Sequence, residues 1–280
     1  MNHRTLLVLA ALLALALALG GCASSPAAAQ PDDILSSALD LSALYQETLA
    51  GSLREIGQTV TDPESGVTVH ISQTLGNSML LYVSFTAAFP QGTDVDALAA
   101  PEVLLTEGAV TDPAEAKAMG YLSQTSNGES AEANTLSCLV SFGFDREVFQ
   151  GQEVSLVITG FPGAEGSGGV DTNLIFTWTP DNQGPIRYVD LVNEEGKMVG
   201  TANFSSFAVN ATLWEQPDRS DDPQTLIRSI QLLDRQDTPI QVNASSGGEG
   251  SSAQKQFRTL VDVDQVSAIQ AGPYTVSLTH

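Results

Sequence analysis

Alternation of apolar and polar residues along short segments is the feature that most constrains how this chain can fold. Residues 67–72 and 81–89 alternate in this way on either side of a turn at Gly76 and Asn77. A period of two places successive side chains on opposite faces of a strand, so this region predicts a β-hairpin. His70 falls on the polar side, where we expect it to be exposed to solvent.

The same alternation recurs toward the C-terminus, between segments rich in Gly, Pro, Asn and Asp. Further strands are expected at residues 135–144, 153–159, 174–178, 186–192, 197–202, 207–213, 226–233, 240–242, 257–263 and 274–278. Residues 90–134 and 245–252 are expected to form long loops. Short strands at regular spacing are typical of β-sandwiches. The predicted fold class is therefore all-β, with two tandem Ig-like β-sandwich domains.

One helix is expected before the strands. Residues 32–57 carry apolar side chains at helical spacing, and Asp32 and Asp33 are suitable N-terminal caps. This pattern predicts one amphipathic helix whose apolar stripe packs on the following domain. A helix lying on a membrane is less favoured, because such helices carry Lys and Arg on the polar face and this one is acidic.

The first 22 residues form a separate unit. Arg4 precedes an apolar run at residues 6–19, and the run ends in Leu19-Gly20-Gly21-Cys22. The order of basic start, apolar run and small residues is that of a secretory signal. The run is too short to favour a retained transmembrane anchor, which needs roughly 20 apolar residues.

This N-terminus resembles a bacterial lipoprotein signal. The resemblance implies that residues 1–21 are removed, that Cys22 becomes the lipidated N-terminus, and that residues 22–31 form a tether. The expected location is the outer leaflet of the cell membrane, outside the cytoplasm, with the membrane as a partner through the lipid on Cys22.

The polar, turn-rich segment 180–185 is the predicted domain boundary. Residues 58–180 would form the first sandwich and residues 181–280 the second, with Trp178 and Trp214 in different domains. The alternative is one large sandwich whose sheets share strands from both halves.

The formal net charge of −22 excludes a nucleic-acid partner, since binding of phosphates needs a basic surface. With Cys22 lipidated, Cys138 is left without a partner for a disulfide. Its position on the apolar side of a strand favours a buried packing residue over a reactive thiol. His70 and His280 are too few for a zinc site or a catalytic triad, so no catalytic residue, metal or cofactor is expected.

Pairs of acidic residues occur at Asp94 and Asp96, Asp221 and Asp222, Asp234 and Asp237, and Asp262 and Asp264. None has the glycine-centred pattern of a calcium loop. Residues 218–222 would be the candidate if a cation bound at all. The glycine-rich residues 160–169 lack the phosphate-binding pattern GxxxxGK[ST].

The segments GVTVHISQTLGNSMLLYVSF, GQEVSLVITGF and NLIFTWTP resemble an uncharacterised ectodomain family of Gram-positive bacteria, domain of unknown function four-one-seven-nine. The segments FSSFAVNATLWE and VDVDQVSAIQAGPYTVSL resemble the second β-sandwich often fused to it. The resemblance implies a membrane-anchored ectodomain without established catalytic residues. Some members are extracytoplasmic parts of anti-sigma-factor-like proteins, but here a lipoprotein signal replaces the transmembrane and cytoplasmic parts.

The leading hypothesis from the sequence is a non-catalytic binding, sensory or accessory ectodomain whose partner is another envelope protein or a cell-wall component. The alternative is a carboxylate-dependent hydrolase acting on envelope glycans or peptides. A cleft with two facing carboxylates would favour the hydrolase.

Overall fold

The computed structural model describes residues 30–42, 46–129, 132–144, 151–164, 168–214, 228–249 and 252–278. Its two helices in these ranges are α1 (Asp33–Ala38) and α2 (Gln46–Ser52). The strands of the first half are β1 (Leu53–Thr61), β2 (Thr68–Gly76), β3 (Leu80–Ala88), β4 (Glu102–Glu107), β5 (Tyr121–Glu129), β6 (Thr135–Gly143), β7 (Val154–Phe161) and β8 (Val170–Trp178). Those of the second half are β9 (Ile186–Val192), β10 (Met198–Ser205), β11 (Ala208–Leu213), β12 (Gln231–Leu233), β13 (Ala244–Glu249), β14 (Ser252–Phe257), β15 (Ala268–Ala271) and β16 (Tyr274–Ser277).

The first half forms a β-sandwich. In the described ranges, sheet I has the order β1-β2-β3-β6-β5 and sheet II the order β4-β7-β8, with antiparallel pairing throughout. Alternate residues of both sheets, such as Phe85 and Cys138 of sheet I and Phe176 of sheet II, form one apolar core. Phe89 and Phe161 meet edge to face across this core, with ring centroids 4.9 Å apart.

The second half repeats this arrangement. Sheet III has the order β13-β14-β11-β10-β9 and sheet IV the order β12-β15-β16 within the part of the chain that is described. Phe204 and Val209 of sheet III pack with Ile269 of sheet IV. None of the four described sheets mixes strands from the two halves. The all-β sandwich class expected from the alternation is confirmed, and so is the hairpin of β2 and β3.

Several local expectations were wrong. Residues 90–134, expected to be loops, contain β4 and β5, and residues 245–252 belong largely to the hairpin of β13 and β14. Both β5 and β13 are edge strands with polar sequences, which the apolar alternation does not reveal. Conversely, residues 240–242 are not a strand, and the strand expected at residues 257–263 ends at Phe257.

The single amphipathic helix expected over residues 32–57 was also wrong. The chain leaves the helical conformation at Leu39, and the Asp40 carboxylate accepts hydrogen bonds from the backbone N–H and the hydroxyl of Ser42. Such local bonds offer the backbone an alternative to helix. From Leu53 onward the chain pairs with β2 as the edge strand of sheet I, so its apolar residues face sheet neighbours.

The two sandwiches pack directly on one another. Leu75, Leu80, Tyr82 and Leu139 lie on the face of sheet I that points away from the first core, and they join the apolar cluster of the second sandwich. The Tyr82 hydroxyl donates a hydrogen bond to the backbone oxygen of Phe257, 3.1 Å away. The outer face of sheet I is therefore an internal surface.

The expected boundary segment, residues 180–185, is partly buried. The amide nitrogen of Asn182 donates to the backbone oxygen of Ser52 at 2.7 Å, and Gln183 N–H donates to the oxygen of Gly51. A polar, turn-rich domain boundary is expected to have few contacts across it, whereas these hydrogen bonds join the segment to residues 51 and 52. Whether the halves fold independently stays a prediction.

No helix within the described ranges is long and apolar enough to cross a membrane. The predicted signal of residues 1–21, the predicted lipidation residue Cys22 and most of the predicted tether lie outside the described residues.

Candidate functional site

Residues 32–42, which we call the junction segment, contact both sandwiches. The Asp32 carboxylate caps α1 by accepting from the N–H of Leu35 at 2.9 Å, and it accepts from the Ser84 hydroxyl at 2.6 Å. The N–H of Asp32 donates to the Gln73 side-chain oxygen at 2.8 Å. The start of the segment is thus fixed to β2 and β3 of the first sandwich.

The end of the junction segment pairs with the second sandwich. Asp40 N–H donates to the Arg258 backbone oxygen at 2.7 Å, and Leu260 N–H donates to the Asp40 oxygen at 3.1 Å. Asp40 and Thr259 form a parallel bridge. Between these two ends, Leu35 and Leu39 are buried in the apolar cluster shared by the sandwiches. One short segment therefore holds both halves.

A cavity of about 550 Å³ opens where the junction segment meets the second sandwich. We call it the junction pocket. It is lined by Ser36, Ser37, Ala38, Leu39, Asp40, Leu41, Asn243, Arg258 and Thr259. Its volume lies in the range of about 300–1,000 Å³ that is usual for small-molecule sites.

The junction pocket contains one exposed charge of each sign. In the described part of the chain, ion pairs within 4.0 Å join Arg54 to Asp181 and Arg187 to Asp264, and none joins Arg258 to Asp40. Hydrogen bonds from the hydroxyl and the N–H of Ser42 hold the pKa of the Asp40 carboxyl below its usual value. Asp40 is therefore an anion at neutral pH, facing the same cavity as an arginine.

A smaller cavity of about 300 Å³ lies where β1 and β8, the edge strands of sheets I and II, face each other. We call it the edge pocket. It is lined by Arg54, Glu55, Ile56, Gln58, Trp178, Thr179, Pro180, Asp181 and Asn182. Two carboxylates, those of Glu55 and Asp181, line the edge pocket. The Asp181 carboxylate is already engaged, because it accepts a hydrogen bond from the Arg54 guanidinium at 2.7 Å. The indole N–H of Trp178 is buried and has no acceptor within the described ranges.

The predicted burial of Cys138 is confirmed, since its side chain has no exposed surface. Burial raises the pKa of the Cys138 thiol to about 12. The thiolate, which is the reactive form, is disfavoured there. Cys138 pairs with Phe85 across β3 and β6 and serves as a packing residue of the first core.

The acidic pairs that fall within the described ranges lie apart from one another, at turns and 3₁₀ helices. Asp234 accepts from the N–H groups of Gln236 and Thr238, and Asp262 caps a 3₁₀ helix. No group of three or more His, Cys, Asp or Glu side chains suited to a metal ion occurs among the described residues. Residues 218–222 and His280 lie outside those residues.

His70 is exposed, as expected, and its Nδ1 lies 2.8 Å from the hydroxyl oxygen of Thr59 on the neighbouring strand. The sequence did not single out Arg258, Asn243 or Asn182. Arg258 offered one signal, since it is one of only 11 basic residues in a chain with 33 acidic ones. The sequence could not show that Arg258 lines the same pocket as Asp40, because only the tertiary fold brings the two residues together.

No family model matches the chain, and no curated protein matches it. Among solved structures, the chain is similar to one described as "the crystal structure of the conserved domain protein from Bacillus anthracis". The two share 14% sequence identity with a TM-score of 0.51, over 86% of this chain and 83% of that chain. This likeness supports the arrangement of the sheets and concerns the fold alone.

Proposed function

We propose that this protein is an extracytoplasmic lipoprotein, anchored through a lipid on Cys22, that acts as a non-catalytic binding, sensory or accessory ectodomain. The observation that carries the proposal is the succession of the basic residue Arg4, an apolar run and Leu19-Gly20-Gly21-Cys22, followed by an all-β body. A diacylglyceryl group on Cys22 would supply the two acyl chains that stable anchoring requires.

The position of the junction segment supports this role. It directly follows the tether of residues 22–31 and is bonded to both sandwiches, so the proposed anchor joins the body where its two halves meet. We also propose kinship with domain of unknown function four-one-seven-nine, on the strand segments quoted above. The partner would be another envelope protein or a cell-wall component.

Anchoring is tested by Cys22→Ser in the full-length chain. We expect loss of labelling by a radioactive fatty acid, together with accumulation of uncleaved precursor or release from the membrane fraction, because serine has no sulfur to carry the lipid. Cys138→Ser is the matched control, since it removes the other cysteine and should leave labelling intact. Unchanged labelling and processing of Cys22→Ser would refute the proposal.

The hydrolase alternative has one observation in its favour, the presence of Glu55 and Asp181 in the edge pocket. A glycosidase needs two carboxylates on either side of the scissile bond. If the edge pocket were such a site, Glu55→Gln would abolish release of reducing ends from purified cell-wall glycan. We expect no such release from either the unchanged protein or the variant.

A further inference from the structure

We propose that the junction pocket binds a small zwitterion carrying one ammonium and one carboxylate group, such as a free amino acid or a dipeptide. The inference deepens the proposed binding role and assigns a ligand class to one cavity. It rests on the pocket's two charges, which form no ion pair with each other in the described part of the chain, and on how the remaining polar groups are divided between its walls.

One wall of the junction pocket offers hydrogen-bond donors. Arg258, Asn243 and Thr259 belong to the second sandwich, and the structure gives no hydrogen-bond partner, within the described ranges, to the Arg258 guanidinium, the Asn243 amide or the Thr259 hydroxyl. Their backbone atoms are engaged in pairing. The Arg258 charge also opposes the rise that burial causes in the pKa of the Tyr82 hydroxyl, so the guanidinium lies near that buried group. A guanidinium matches the geometry of a carboxylate and can bind it through two parallel hydrogen bonds.

The facing wall offers acceptors. In the junction segment, Asp40 uses its Oδ1 atom for Ser42, which leaves Oδ2 available. The Ser36 hydroxyl donates to the backbone oxygen of Pro31 and the Ser37 hydroxyl to that of Ile34, so both hydroxyl oxygens can still accept. An ammonium group has three donors and no acceptor, and it therefore fits this wall.

A ligand with one charge would neutralise only one of the pocket's two charged side chains. An anion at Arg258 would leave the Asp40 carboxylate facing it, and a simple cation would be repelled by the guanidinium. A zwitterion places each of its charges beside the opposite charge. The volume of about 550 Å³ accommodates a molecule larger than a single ion.

The ligand would touch the junction segment and the second sandwich together. Binding to the folded form alone stabilises it in proportion to the logarithm of ligand concentration over Kd. The bound zwitterion should therefore raise the melting temperature and protect the Asp40 amide from hydrogen exchange.

The test uses the full-length chain in detergent, titrated calorimetrically with L-alanine and with L-alanyl-L-alanine. Acetate and ethylamine serve as single-charge probes, and phosphoethanolamine serves as a zwitterion that lacks a carboxylate. We expect binding of at least one of the first two ligands. Arg258→Gln and Asp40→Asn should each weaken that binding roughly tenfold or more, about 1.4 kcal/mol.

Arg187→Gln is the matched control, because Arg187 is an exposed arginine outside the pocket that pairs with Asp264 at 3.4 Å. It should leave binding unchanged. Asp40→Asn retains an oxygen that can accept from Ser42, and Asn243→Ala provides a second variant if Arg258→Gln alters the circular dichroism spectrum.

The proposal is overturned if neither amino acid nor dipeptide binds, if acetate binds as tightly as L-alanine, or if the pocket variants bind like the unchanged protein. Binding of phosphoethanolamine alone would refute the carboxylate assignment. A negative result here, with lipid labelling of Cys22 intact, would refute the pocket's ligand and leave the proposed anchoring standing.

Discussion

At the scale of single residues, Cys138 shows how an isolated thiol can be a packing element. It lies in β6 between sheet I neighbours and the facing sheet II, with no exposed surface. A buried thiol without polar partners behaves as a small apolar side chain. The same burial that makes it inert also links its protonation to folding.

We predict that thiol reagents label Cys138 only after unfolding, because the native fold excludes them. Cys138→Ala should lower the free energy of unfolding by on the order of 1 kcal/mol through a small cavity. The measurement is labelling with and without denaturant, followed by urea unfolding of the variant. Rapid labelling of the native protein would contradict the burial.

We also predict a loss of stability in alkaline solution. Burial raises the pKa of the Cys138 thiol from its ordinary value of 9.0 to about 12 in the folded state. Above pH 9 the unfolded thiol ionises first, so the contribution to stability is complete below pH 9 and is lost between pH 9 and 12. The raised pKa of Tyr82, caused by burial, acts in the same direction. Urea midpoints from pH 7 to 11 should fall less steeply in Cys138→Ala than in the unchanged protein.

At the scale of elements, the junction segment shows what the sequence could and could not predict. Asp32 was a recognisable cap, and it caps α1. The end of the helix at Leu39 could not be foreseen, because Asp40 pairs with residues 258–260 at the opposite end of the chain. The apolar residues of this region lie at helical spacing in the sequence. In the structure they pack against two different surfaces, one after the other.

The edge strands show the same limit of prediction from the sequence. β2 and β8 carry apolar residues in alternation, and β3 and β6 are apolar strands buried on both faces; these strands were predictable for that reason. β5 and β13 were not, since an edge strand is held largely by backbone hydrogen bonds that any residue can make. The junction pocket was equally invisible, because its two charges come from segments brought together only by tertiary pairing.

We predict that Asp32→Ala lowers the free energy of unfolding by roughly 2 kcal/mol, since it removes a helix cap and leaves the buried Ser84 hydroxyl without its carboxylate acceptor. Asp33→Ala, an exposed acidic residue of the same turn, is the control and should cost much less. Thermal melts of both variants decide the matter. Equal losses would show that the Asp32 contacts contribute nothing special.

At the scale of the whole molecule, the two sandwiches are separate in their sheets and joined in their packing. Every described sheet draws its strands from one half, yet Leu75, Leu80 and Tyr82 of the first half pack in the cluster of the second. A cut should follow residue 183, because Asn182 and Gln183 are bonded to the first sandwich.

We predict that residues 30–183 and 184–280 each fold when expressed alone, since each half supplies both layers of its own core. Their thermal melts should be cooperative but lower than that of the full chain, because the shared apolar surface becomes exposed. Mixing the two fragments should raise the melting temperature. Failure of both fragments to fold would favour a single cooperative unit.

The pairing of Asp40 with Thr259 determines when the junction segment can complete its folding during synthesis. The junction segment is synthesised before either sandwich, while its bridge partner Thr259 lies near the C-terminal end of the second sandwich. Folding is slower when the contacting residues are far apart in the sequence. If the chain is exported and anchored as we propose, the junction segment would stay unpaired until nearly the whole protein had emerged, so the last step of folding would take place beside the proposed anchor.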